Sequence, residues 1–90
     1  MDANEQLRLG ELAKQMKSTI ASSARDFGAR EGVDRLELDL NSTLRQLERR
    51  PLRDPTIREL LKGVEETLST MPQLPMVQDW RSQIKALTPA

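Results

Sequence analysis

The chain has 90 residues, with fourteen Lys and Arg against fourteen Asp and Glu, so its formal net charge is zero. That length allows one domain with a thin core, and the balanced charge denies nucleic acid its usual electrostatic footprint. The absence of Cys and His excludes ordinary zinc sites, thiolate nucleophiles, disulfides and imidazole general bases.

Only Phe27 and Trp80 are aromatic, and the remaining apolar residues are mostly Leu. A core built from so few large side chains makes stabilisation by a partner or by self-association an expectation. The charged residues are mixed in sign and separated by regular apolar spacing, which describes solvated helix faces in a folded chain. Residues 1–5 show neither a basic nor an apolar leader pattern, and no stretch approaches the roughly 20 apolar residues of a membrane span. The expected setting is cytoplasmic, with no membrane role.

Leu9, Leu12, Met16, Ile20, Ala24 and Phe27 recur at steps of three and four, predicting an amphipathic helix over residues 5–27. Asp2 with Glu5 offers a capping box at its start, and Gly28 suits the position just past its end. Gly10 costs about 1 kcal/mol relative to Ala and predicts fraying of the first turns. The small residues Ser18, Thr19, Ala21, Ser22 and Ser23 give the middle a slim profile that another helix could approach closely, or that is simply solvated.

Gly28 and Gly32 bracket the clearest punctuation in the chain. A second helix is expected to begin after it, with Asp34 as N-cap, Glu37 as its capping-box partner, and Val33 with Leu38 as a hydrophobic staple. Leu36, Leu40, Leu44 and Leu47 mark its buried stripe toward Arg50. Residues 36–40 also alternate with period two, as a short strand would, but no second strand-like run exists to pair with them.

Arg50-Pro51-Leu52-Arg53-Asp54-Pro55 reads as a tight connection, with Asp54 as N-cap and Pro55 at the first helical position. Ile57, Leu61, Val64, Leu68 and Met71 then form the most regular seam in the chain, closed by Pro72. The short link makes residues 33–71 an antiparallel helical hairpin. After Pro72 and Pro75, Val77, Trp80, Ile84 and Leu87 predict a short final helix over residues 75–87. The fold class is therefore all-α, a small bundle of three to four helices built around that hairpin, in a single domain spanning residues 1–90.

The carboxylates fall at expected helix ends and polar faces, and no glycine-rich phosphate loop is present, so no catalytic, cofactor-binding or metal-binding residue is expected. The chain reads as non-enzymatic. Its charges are more informative. The second helix starts acidic and ends basic, as its dipole favours, whereas the third places Arg58 and Lys62 early and Glu65 and Glu66 late, against its own dipole. An antiparallel hairpin then gathers Arg45, Arg49, Arg50, Arg53 and Arg58 at one pole. Either an acidic partner docks there, or Glu48, Asp54 and Glu59 neutralise the arginines locally.

The second candidate surface is Met76 with Trp80. Methionine suits adaptable contacts and tryptophan is enriched at interface hot spots, although a lone Trp on an amphipathic helix also serves as a core plug. The expected function is a small interaction module: an adaptor, chaperone-like partner or regulatory inhibitor binding another, helical protein, with self-association as a further possibility. The alternative is a nucleic-acid-binding regulator using the Arg45 to Arg58 cluster, which the zero net charge and lack of stacking aromatics there disfavour.

Overall fold

Most residues of each apolar stripe read from the sequence turn inward on a helix face, whereas Ala24 is exposed and Leu44 and Leu47 are half-buried. The structure, a computed structural model, describes residues 1–89. α1 runs Ala3–Ser23 and continues into a 3-10 turn at Ala24–Phe27; α2 spans Arg30–Leu47, α3 Asp54–Ser69 and α4 Pro75–Leu87. No strand occurs among the described residues. α2 packs against α1 and α3, and α4 closes the ring against α3 and α1, while the diagonal pairs make no backbone approach among the described residues. Successive helices are joined by short connections and run antiparallel, which gives an elongated bundle of 37 × 20 × 18 Å.

The start of α1 is held more firmly than its glycine suggests. The Asp2 carboxylate accepts from the Glu5 amide at 2.8 Å, and the Glu5 carboxylate accepts from the Asp2 amide at 3.1 Å, the reciprocal capping pair. The Met1 amine donates to Asp54 Oδ2 at 2.8 Å and the Met1 side chain is 1 % exposed. Gly10 lies inside a continuous helix, where a Cβ would stand 3.9 Å from Leu47 Cδ1. The expected fraying is thus countered by tertiary contacts.

The last turn of the first segment departs from the expected helix. Ser22 Oγ donates back to the Ser18 carbonyl at 3.1 Å, and Ser23 leaves helical geometry at φ −140°, ψ 40°. Serine back-bonding of this kind bends helices. Ala24–Phe27 tightens into the 3-10 turn and delivers Phe27 onto Trp80, with ring centroids 5.6 Å apart and planes 14° from parallel. Gly28 follows at φ 87°, and a Cβ there would meet Pro72 Cδ at 3.2 Å. Glycine is needed for both reasons, because the connection must turn in the left-handed region and lie directly on the one between α3 and α4.

The expected start of α2 is corrected. Ala29 in extended conformation is its N-cap, and the amides of Gly32 and Val33 donate to the Ala29 carbonyl at 3.1 and 3.2 Å. Asp34 therefore lies inside the helix, turned toward Arg30 at 3.8 Å, and both side chains are largely exposed. Leu38 is 62 % exposed, so no staple with Val33 forms. The helix propagates one turn further back than its strongest local cap and includes Gly32, where a Cβ would find Met71 Cε at an ordinary 3.8 Å. At the other end the helix closes at Leu47, and the Arg50-Pro51 peptide is cis.

α3 and α4 follow the sequence closely. Ile57, Leu61, Val64, Leu68 and Met71 are buried, as are Val77, Trp80, Ile84 and Leu87. Asp54 is the first helical residue instead of the N-cap, which is Arg53, and its carboxylate is engaged by the Met1 amine in place of its own helix.

Candidate functional site

α4 has 13 residues against 21 in α1, about 20 Å against about 31 Å of axial rise. The bundle is thus unequal along its length and around its ring. Between α1 and α2, at the end where α2 hands over to α3, lies an open groove of about 360 Å³. Leu44 and Leu47 are half-buried in its floor, Gly10 leaves room at its centre, and Leu7 is 63 % exposed on its edge. Glu11 and Lys14 of α1 line the opening together with Glu48, the residue that caps the end of α2, and Arg50 beyond it.

The groove reaches the arginine pole at Arg50, the one arginine of the pole that lines it. Arg45, Arg49, Arg50 and Arg53 are exposed and Arg58 is half-buried. Arg50 is occupied with the fold, since one of its terminal nitrogens donates to the carbonyls of Leu47 and Arg49 at 2.9 and 2.8 Å. The Leu47 carbonyl is one that the end of α2 leaves without an intrahelical donor. Arg45 donates to Ser42 Oγ at 3.3 Å. Arg49 and Arg53 stand exposed on the α2–α3 connection. Of the acids expected to neutralise this pole, Asp54 is bound by the Met1 amine and Glu59 lies 3.6 Å from Lys62. The hydrogen bond and charge of Asp54 in turn raise the proton affinity of that amine above its ordinary value.

The charge order of α3, reversed against its own dipole, has an internal explanation. Glu65, near its C-terminal end, accepts from Arg81 of α4 at 2.9 Å (Nη2) and 3.1 Å (Nε), with Lys85 at 4.0 Å. Arg81 also donates to Gln73 Oε1 at 2.7 Å. Of the two carboxylates that oppose the α3 dipole, Glu65 is therefore half of a forked ion pair, a strong form of charge-assisted hydrogen bond, while Glu66 is exposed. The position of Glu65 therefore gives no reason to look for a partner at the arginine pole; the exposure of Arg49 and Arg53 does.

The seven residues singled out from the sequence fall in three places. The five arginines gather around the α2–α3 connection. Met76 is 38 % exposed in the first turn of α4, at the opposite end of the bundle. Trp80 is 1 % exposed and stacked on Phe27, so it fills the core and presents no face to a partner in this arrangement. Its position on the apolar stripe with Val77 and Ile84 is the reason. Leu7, Leu44 and Leu47, which line the groove, were not singled out for binding. The signal for Leu7 lay in its register, since it is an apolar residue off the stripe that Leu9, Leu12 and Met16 define.

The hydroxyls of Thr43 and Thr67 donate to the Asp39 and Gly63 carbonyls within their own helices. Among the described residues no three His, Cys, Asp or Glu side chains converge as a metal ion would require, and no helix is long and apolar enough to cross a membrane. No protein-family model matches the chain, and neither a characterised protein nor a solved structure is detectably similar to it.

Proposed function

We propose that the chain is a small, non-enzymatic interaction module that seats an amphipathic helix of another protein in the α1–α2 groove, with acidic residues of that helix directed toward Arg49 and Arg53. The observation that carries this reading is the exposure of Leu7 over a floor of half-buried Leu44 and Leu47, in a groove whose lining ends at Arg50, the neighbour in sequence of exposed Arg49. A cleft between two antiparallel helices has ridges and grooves that match a third helix, and helix-in-groove recognition uses apolar anchors for affinity. Gly10 removes the side chain that would hold such a helix off the floor. Charges at the rim act mainly on encounter rate and orientation.

A photo-crosslinking residue introduced at Leu7, with the same residue at exposed Leu38 as control, tests the surface in extracts of the native source. The expected product is a position-7 adduct whose mapped partner peptide has helical apolar periodicity and at least two Asp or Glu on its polar face, absent from the position-38 sample. An adduct with a second copy of the chain, with nucleic acid, or equally at both positions overturns the reading.

A further inference from the structure

Asp39 lies in the middle of α2, on the side packed against α3. Its Oδ2 is shut off from solvent and has no hydrogen-bond partner, and a Cβ built on Gly63 would come within 3.1 Å of that oxygen. The missing side chain at position 63 is therefore the space in which the carboxylate sits. The hydroxyl one turn further along, on Thr43, is already donated to the backbone carbonyl of Asp39 at 2.8 Å and does not serve the carboxylate. Arg35, one turn back on α2, is the charged group that acts on Asp39. Across the seam, Gly63 is flanked on α3 by Glu59, Lys62 and Glu66, and Lys62 is 3.6 Å from Glu59.

We propose that Asp39 and Gly63 form an acid-tightened joint in the α2–α3 seam, in which Oδ2 of the ionised carboxylate is held against α3 without a hydrogen-bond partner and protonation strengthens the hairpin. The mechanism is partial desolvation: Asp39 is half-buried, and its Oδ2 is removed from water without a compensating donor, which is costlier for the ionised carboxylate than for the neutral acid. Burial pushes the carboxyl group above its ordinary 3.8, and Arg35 offsets only part of this. With the folded value raised, the ionised group weakens the fold at every pH above its folded titration. The penalty shrinks as pH falls through that value and is gone below 3.8, where folded and unfolded chains both carry the proton. The whole-protein pH profile sums every titrating group and cannot isolate the joint. A difference against a variant can.

The experiment is urea unfolding of the full chain and of Asp39→Asn from pH 3 to pH 8. The midpoint difference should move in favour of Asp39→Asn as pH rises through the mildly acid range and level off near neutrality. A difference that is flat with pH, or that moves toward the parent, overturns the proposal. Titration of the Asp39 carboxyl carbon by NMR gives an independent reading: a midpoint above 3.8 supports the joint, and one at or below 3.8 sinks it. The geometric half is tested by a double-mutant cycle. Asp39→Ala should raise the urea midpoint more in a Gly63→Ala background than in the parent, because there it relieves the 3.1 Å contact; additive effects would show that the two residues do not press on each other.

Discussion

The α3–α4 face and the α1–α2 face are built by the same amphipathic rule and end in opposite conditions. On the first, the stripe residues of both helices are buried, Trp80 stacks on Phe27 from the end of the first segment, and Arg81 forks onto Glu65. On the second, Leu44 and Leu47 remain half-buried, Leu7 is exposed, and Gly10 leaves the groove open. The difference traces to where large side chains and complementary charges fall. One face receives the only two aromatics in the chain and a cross-helix ion pair, and the other receives a glycine and a mixed rim. A closed seam stabilises this small bundle, whereas an open one leaves apolar surface for something else to cover.

The comparison is broken most forcefully by emptying the closed face. Trp80→Ala should destabilise the fold by about 3–5 kcal/mol, which approaches the whole stability of a domain this size. Chemical denaturation should show loss of cooperative unfolding or a drastically lowered midpoint. A variant that melts like the parent would mean that Trp80 is not the plug of that face. A smaller effect is expected from Glu65→Gln, since the Arg81 and Glu65 side chains are only 29 % and 22 % exposed but remain at the edge of water. The cost should be about 1 kcal/mol, with weakened protection of α4 amides in hydrogen exchange while α1 and α2 amides stay as in the parent. Uniform loss of protection would show that α4 does not open as a separate unit.

The smallest stability effect should come from the open face. Leu7→Ser removes a side chain that is 63 % exposed and should shift unfolding by no more than about 0.5 kcal/mol, while abolishing capture of the partner peptide identified by crosslinking at that position. A large stability loss would place Leu7 in the core and close the groove as a candidate surface.

The sequence by itself determined the four helices and the residues that face inward along most of each. It also determined the connections at Pro51 and Pro72 and the capping pair at Asp2 and Glu5. These are consequences of short-range geometry: helical spacing puts residues three and four apart on one face, and proline or a cap oxygen acts within one turn. Tertiary structure decided the rest. It started α2 at Arg30, passing the attractive cap at Asp34, and seated Phe27 on Trp80 through a tightened turn. It gave Glu65 to Arg81 and Asp54 to the Met1 amine, and left Leu44 and Leu47 half-covered. Each of these joins residues far apart in the chain, and their meeting depends on helix lengths, crossing geometry and the room left by glycine at positions 10, 28 and 63. Local periodicity carries no information about such long-range fits, because many pairings of the same stripes bury equal apolar surface and only side-chain packing selects among them.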